Sequence, residues 1–539
     1  MRWQRILGGV LVGVLTVVPV IVIFYLVGEL VGWPFFPFHV FEFVTRILPG
    51  SLVTFGIDLM ASLISGLNLG STSSTAKLAE QIMALVQFLA AGGLVGGVLA
   101  YVGNSGPFTR LPTFGLIAGT IMFLVALLAE IVVGQALTFL GSIVWPLLVL
   151  AGWGAVLGLL LHQYLFVRTE PADDDSRRRF LYLGGTALVA LIASAIGLGF
   201  LFARRGSQQE TAGSSAGLTT GTPAVPTPGT SGPAASPPEP TLEARIQPVP
   251  GTRAEITSRA EFYRIDINLS PPSVDAGEWR LDVSGLVDNP MSLTLDQIRQ
   301  RPAVSQYITL ECISNPVGGD LISGNLWTGL RLRDLLDEVG LKPEAQALYI
   351  ESVDGYYETV VMEDMMDPRT LLVYDMNGQP LPEAHGYPLR IYIPNRFGMK
   401  QPKWIVRMQA VAEPKKGYWV TRGWSRSAMV RTTSVIDVAD VPADPHQNVS
   451  MGGIAYASGR GISKVEVQVD DGPWQEAQLR VPPLSPLMWV QWRYEWAGEP
   501  GDHVARVRAY DGSGELQVTE ENSPHPDGAS GIDSYSFKV

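Results

Sequence analysis

The chain has 539 residues, a net charge of −12 and a single cysteine. The length calls for more than one domain, and the acidic balance argues against nucleic acid as a partner. One thiol excludes an intramolecular disulfide, a cysteine-rich zinc site, a cysteine-ligated iron–sulfur cluster and C-x-x-C-H haem attachment.

Five stretches, 6–30, 79–102, 113–139, 143–167 and 180–203, are apolar over the roughly 20 residues that a bilayer crossing takes. They predict an all-α transmembrane bundle over residues 1–205. The stretch 33–68 is aromatic but broken by Pro49 and Gly50 and carries Glu42, Arg46 and Asp58; it reads as lying at the interface or re-entering. With five crossings, Arg2, Arg5, Arg110, Arg168 and Arg177–Arg179 fall on the cytoplasmic side and the C-terminus outside. The run "SRRRFL" at 176–181 has the S-R-R-x-F-L pattern of a twin-arginine export signal. The same arginines could equally anchor a helix end.

Residues 206–245 are rich in Ser, Thr, Gly, Ala and Pro, with almost no large apolar side chains. This composition predicts a disordered linker, about 35 Å end to end if fully flexible. From 246 to 429 the pattern is mixed α+β: "GEWRLDVSGLV", "LYIESVDGYYETVVM" and "PLRIYIPNRFG" read as strands, and "LTLDQI" and "LRLRDLLDEVG" as short helices. From 430 to 539 it turns all-β. Val465, Val467 and Val469 alternate with Lys464, Glu466 and Gln468, and Ala505, Val507 and Ala509 alternate with Arg506 and Arg508. Asp-Gly turns and Trp474, Trp489 and Trp492 as interior residues complete the pattern of an immunoglobulin-like sandwich.

The one cysteine, Cys312, lies in "YITLECISNPVGGDLI". Taken alone, a lone cysteine is most often a small buried hydrophobe; the competing reading is a thiolate ligand for a soft metal centre. The surrounding stretches bear on the choice. "EFYRIDI", "LECISNPVGG", "LLVYDMNGQPLPEAHGYPLRIYIPNRFGMKQPKWI" and "GGIAYASGRGISKVEVQVDDGPW" occur in that order. Together they make residues 259–539 resemble the sulfite oxidase family of molybdenum cofactor enzymes, including its C-terminal dimerisation domain.

The resemblance implies that Cys312 ligates molybdenum, the other sulfurs coming from the pterin. It also implies cofactor contacts from Tyr263, Arg264 and Asp266 in "FYRIDI", from Asn315 in the cysteine loop and from Asp354 in "ESVDG". His385, Arg390, Lys400 and Lys403 would clamp the pterin and its phosphate, arginine by planar paired contacts and lysine as a point charge. Tyr374 in "LLVYDMNG" would hydrogen-bond near the metal's oxo group, and Arg264 would hold an anion. Arg460 is loosely placed to reach the same site. A homodimer is implied through the C-terminal domain.

One position departs from the family. Members acting on sulfite carry an arginine five residues after the cysteine, where this chain has Val317. The expected activity is therefore oxygen-atom transfer of the sulfite oxidase type, in a membrane-anchored domain on the extracytoplasmic side. A reductase of a sulfoxide or other oxo-substrate on the same cofactor is the alternative. A non-catalytic envelope protein, or a transporter formed by the bundle, are the readings from other classes. The membrane half holds only His39 and His162, so no haem is evident, and the electron-transfer partner stays unidentified.

Overall fold

The computed structural model of the chain describes residues 2–31, 33, 35–50, 52, 53, 55, 56, 59, 60, 63, 71–105, 110–133, 140–163, 245–444 and 447–539. The expected fifth span, the "SRRRFL" run and all of the linker but its last residue lie outside them. Two compact units result: residues 1–47 with 79–231, and residues 48–78 with 232–539.

The first unit is built from α1 (Arg2–Val31), α2 (Phe36–Ile47), α3 (Thr72–Ser105, from residue 79 onward), α4 (Leu111–Val133) and α5 (Leu140–Leu161). The helices α1, α3, α4 and α5 are long and apolar enough to cross a membrane; α2, at 12 residues, is too short. Small residues at four-residue spacing let the long helices touch backbone to backbone. Gly9 and Gly13 of α1 face Gly92 and Gly96 of α3, and Gly115 and Gly119 of α4 face the Leu150–Gly158 stretch of α5. A Cβ at these positions would strike the opposite main chain. One polar latch holds α2 to α4. His39 Nδ1 meets the fully buried Glu130 Oε2 at 2.5 Å, and Arg46 donates to the carbonyls of Val132 and Val133. Glu130, the one acidic residue well inside a predicted span, is thus a paired helix-packing group.

The second unit carries the cofactor-like domain. A mixed sheet has the order β2 (Met291–Leu293), β1 (Leu281–Gly285), β10 (Ile405–Val411), β5 (Ala347–Ser352) and β6 (Tyr357–Val361), with β1 and β10 parallel. A second sheet runs β3 (Ala303–Glu311), β4 (Ile322–Arg331), β7 (Leu371–Met376) and β8 (Gln379–Pro380), with β9 (Arg390–Tyr392) on β7. Between the sheets, α6 (Leu295–Arg299) and α7 (Leu332–Val339) bury Ile298, Leu332, Leu335, Leu336 and Val339. Helix α6 starts on a capping box, Thr294 with Gln297; α7 shows the three-four apolar spacing that its sequence promised. Strand alternation gives the second sheet two faces. Leu372 and Tyr374 enter the core with the helices, while Leu371 and Val373 enter another with Phe262, Trp327 and Tyr392.

Beyond residue 430 there are two four-stranded sheets. One has the order β11 (Thr433–Asp440), β12 (Val449–Tyr456), β16 (Val490–Trp496), β15 (Gln478–Leu479). The other runs β14 (Gln475–Glu476), β13 (Ile462–Val469), β17 (Asp502–Asp511), β18 (Asp533–Lys538). The predicted alternation is realised: Val465, Val467, Ala505, Val507 and Ala509 share one core with Met451 and Trp492 of the facing sheet. Trp489 and Trp492 are interior, but Trp474 is not; it is half-buried beneath the Arg508 guanidinium, 4.2 Å from the ring centre. A cation over the indole face satisfies that ring at the surface.

Residues 245–257 run along the C-terminal sheets and also meet the cofactor domain, where the Thr257 amide donates to the Gly324 carbonyl at 2.7 Å. Arg253 donates to Asp437 from its backbone and its Nε, Gln491 donates to the Arg253 carbonyl, and Trp489 Nε1 to the Glu255 carbonyl. No side-chain alternation marks this strap, because bonds between its backbone and distant side chains, with the Arg253–Asp437 pair, hold it. Gly452 gives it room: a Cβ there would collide with Thr252 and press on Val249. We expect Gly452→Val to cost about 1–3 kcal/mol in urea unfolding, with faster protease cleavage at 245–257. Unchanged cleavage would show that the strap is not held there.

Candidate cofactor site

The cysteine's position is set by a hairpin. Strand β3 pairs with β4 antiparallel to the last couple, Glu311 with Ile322, and residues 312–321 close the loop. Proline, glycine and asparagine make that turn possible. The Cys312 amide donates to the Leu321 carbonyl at 2.9 Å, and Gly318 takes the left-handed φ of +72°. Asn315 braces the loop internally: its Oδ1 accepts from the Leu321 amide at 2.9 Å and its Nδ2 donates to Glu311 at 3.1 Å. Cys312 Sγ, buried, lies 3.0 Å from Ser314 Oγ. Burial pushes the thiol up, and the Ser314 hydroxyl opposes that. Burial also raises the neighbouring Glu311 carboxyl to about 7, against the Asn315 hydrogen bond.

A cationic cluster stands beside this loop. Asp266, its side chain 2% exposed, is held by Arg264 Nε at 2.7 Å, Lys403 Nζ at 3.1 Å and Lys77 Nζ at 3.5 Å. Burial raises the Asp266 carboxyl, yet Lys403, Lys77 and Arg264 overcome it and hold the group well below the usual carboxylate range. Lys403 also donates to the Ile265 and Ala384 carbonyls. Burial lowers its ammonium to about 8 despite Asp266.

His385 ends a short 3₁₀ turn, Glu383–His385, and its carbonyl accepts from the buried Arg390 at 3.1 Å. Gly386 follows with φ +112°, and a Cβ there would press on Arg390 and Lys403. Arg390 lies over the Trp327 ring at 5.0 Å, and burial lowers it to about 10. Burial, with Lys403, Arg390 and Arg264, drives His385 down to about 3. This histidine is therefore neutral at working pH. Asp354, in the tight turn between β5 and β6, accepts from Asn268 at 3.1 Å, which ties that hairpin to the loop of Asp266.

Of the residues expected at the site, Tyr263, Arg264, Asp266, Cys312, Asp354, His385, Arg390 and Lys403 gather here, with Asn315 bracing the cysteine loop. Cys312 is within electrostatic reach of Lys403, Tyr263 and Tyr356. Lys400 is engaged elsewhere, in a buried pair with Glu358 at 3.0 Å. Arg460 turns to Asp511, Val430 and Thr432. Tyr374 is placed apart from this group. The alternation of β7 sends its ring into the helix-covered core, under the Arg299 guanidinium at 4.5 Å and away from the face shared by Phe262 and Trp327. Tyr263 and Tyr356 both reach the thiol's surroundings; Tyr356, which the motifs did not mark, is buried and donates to the Met399 carbonyl at 2.5 Å. Its signal in the sequence was adjacency to Asp354 in "DGYY". Lys77 and Asn268 were also missed, the first because it lies far away in the chain.

Whether these residues suit a molybdenum–pterin group can be read from charge and ligand supply. Lys77, Arg264 and Lys403 share the Asp266 carboxylate, Arg390 is a further buried cation near Lys403, and burial depresses both Lys403 and Arg390. An anionic phosphate group would relieve that imbalance. Among the described residues no cluster of three or more His, Cys, Asp or Glu could hold a metal alone. A single thiolate therefore suits a metal that arrives with most of its own ligands. The residues fit the group.

The neutral, buried His385 gives a pH signature. Between about 6.5 and 3 the unfolded chain binds a proton that the folded chain does not, so stability falls as pH drops through that window. Melts of the full chain from neutral pH downward should show this fall, and His385→Gln should make it shallower. Identical slopes would mean that His385 is protonated in the folded state.

Comparison with known proteins agrees with the geometry. The oxidoreductase molybdopterin binding domain family matches residues 268–419. The uncharacterized oxidoreductase YuiH of Bacillus subtilis (strain 168) is 31% identical over 176 residues, 33% of this chain and 85% of that protein. The mitochondrial sulfite oxidase of Mus musculus is 30% identical over 288 residues, 45% of this chain and 52% of that protein. The chain thus spans about half the length of that sulfite oxidase. A putative protein-methionine-sulfoxide reductase subunit, YedZ1 of Azospira oryzae, is 32% identical over 152 residues, 28% of this chain and 56% of that protein. The solved sulfane dehydrogenase SoxCD of Paracoccus pantotrophus aligns over 57% of this chain and 86% of that one, with 21% identity and a TM-score of 0.47. With the thiol loop, the cation cluster and the matches in sequence together, the chain belongs to the molybdopterin-binding oxidoreductases of the sulfite oxidase type and is a molybdenum cofactor-dependent oxidoreductase.

Proposed function

We propose that this protein is a membrane-anchored enzyme whose soluble domain works on the extracytoplasmic side and transfers an oxygen atom at a molybdenum held by Cys312. The observation that carries the reading is the surplus of buried cations around Asp266, beside the one thiol of the chain. The cofactor supplies the two-electron oxygen-atom chemistry. Lys403, Arg390 and the N–H of neutral His385 would bind the pterin and its phosphate; Asp266 sets the orientation of Arg264 and Lys403. Tyr356, buried within electrostatic reach of the thiol, would take the part that the motif assigned to Tyr374, turning its hydroxyl from the Met399 carbonyl to donate to the oxygen to be transferred. Export by a twin-arginine signal at 176–181, an immunoglobulin-like C-terminal domain that pairs two subunits, and an electron partner outside this chain belong to the same reading.

The substrate has two candidates. Sulfite oxidation follows from the relatives that are named for it. Reduction of a sulfoxide or other neutral oxo-compound is favoured by Val317. This position offers no charge, and its side chain lies against the Gly531 loop. A small dianion would lose one cationic contact there, whereas a neutral substrate would not need it.

The purified, molybdenum-loaded full chain should be assayed with sulfite plus an electron-accepting dye, and with methionine sulfoxide plus an electron-donating dye. Turnover of either selects the substrate; turnover of neither would overturn oxygen transfer to sulfur. On the active substrate we expect Tyr356→Phe to lower kcat/KM by about 100-fold without loss of molybdenum. Tyr374→Phe should leave catalysis within a few-fold. The reverse ranking would restore Tyr374 to the site.

A further inference from the structure

Residues 71–78 lie almost two hundred positions before the 264–268 loop and carry no motif that joins them to the site. They group with residues 232–539, and two contacts explain why. Lys77 Nζ donates to the Asp266 carbonyl at 3.0 Å and the Asn268 carbonyl at 2.9 Å, and faces the Asp266 carboxylate at 3.5 Å. The three donors of an ammonium are thereby directed at one five-residue loop. One turn earlier, the Thr72 amide at the start of α3 donates to Asp320 Oδ2 at 2.8 Å. The free amides and partial positive charge of a helix N-terminus suit a carboxylate there. Asp320 belongs to the 312–321 loop that carries Cys312. One short stretch therefore grips both loops on which the cofactor depends.

We propose that Thr72 and Lys77 form a clamp that holds the Cys312 loop and the 264–268 loop in register, making Lys77 a positioning residue for the molybdenum cofactor. This rests on the cofactor reading above. The loop that Lys77 holds carries Arg264 and Asp266, and Asp266 in turn holds Lys403. Through Asn268 it also fixes Asp354. Without Lys77, two buried carbonyls lose a charged donor and Asp266 loses one of its three cations. The phosphate-binding side chains then lose their shared anchor. Partners that orient a metal site's ligands in this indirect way alter retention more than fold.

The test uses the full chain, produced in a host that makes the cofactor and purified in detergent. Lys77→Met and Asp320→Asn are compared with wild type and with Lys77→Arg, which keeps the charge. Molybdenum and pterin per chain are followed over time after gel filtration, beside the unfolding temperature. We expect Lys77→Met to release the cofactor about 10- to 100-fold faster, Asp320→Asn to fall between it and wild type, and Lys77→Arg to recover most of the retention. Hydrogen exchange on the cofactor-free chains supplies a readout that is independent of loading. Lys77→Met should speed exchange at 264–268 and 312–321 and leave β12 and β16 unchanged. Wild-type release together with wild-type exchange in those loops would overturn the clamp. So would faster exchange spread equally over the whole unit, which would make Lys77 a general stability residue. A wild-type chain that takes up no molybdenum would instead defeat the cofactor reading itself.

Discussion

A buried carboxylate shared by three cations organises this molecule's chemistry. Asp266 is ionised because Lys403, Lys77 and Arg264 overcome the penalty of burying it, and each cation is aimed because Asp266 is there. Such an arrangement is stable only if every member is satisfied. Lys403 adds two carbonyl contacts and Lys77 adds two more. The net result is a rigid positive patch beside the thiol loop. Arg390 and the Glu383–His385 turn extend it, with His385 kept neutral by burial and by its cationic neighbours and ready to act as donor and acceptor.

The surrounding fold serves that patch in an ordinary way. The β3–β4 hairpin sets Cys312, the β5–β6 hairpin sets Asp354 and Tyr356, and β9 sets Arg390. The helix-covered core behind these strands has no polar task. Its leucines and valines fix the positions of strand ends, and strand ends fix the chemistry. The C-terminal sheets contribute through Trp489 and Tyr456, whose amide and hydroxyl respectively donate to Thr309 on β3, so the strand that leads to the thiol is held from both sides.

Much of this was legible in the sequence, and the limits have physical causes. Alternation in β13 and β17 and the apolar spacing of α7 announced their own burial, because local periodicity records which face meets the core. The proposed cofactor residues were legible only as ordered motifs, since neither spacing nor composition says that Arg264 and Lys403 converge on Asp266. The face that Tyr374 takes was not legible, because strand parity decides it and a motif alone does not state the parity. Lys77 and the strap at 245–257 were invisible. The first acts across a long sequence distance through backbone carbonyls; the second is held by bonds between its backbone and distant side chains and by the Arg253–Asp437 pair, with no local pattern. The helix-packing glycines were present as four-residue repeats, but their role needed the opposite helix.

The central claim is that the one thiol in the chain ligates the metal beside this cation cluster. X-ray absorption at the molybdenum edge tests it most directly, on the loaded full chain and its Cys312→Ser variant. The account predicts one fewer sulfur neighbour at the metal in the variant, with the pterin still bound. Unchanged sulfur coordination in a variant that keeps its molybdenum would contradict it, and Cys312 would then be an ordinary buried thiol.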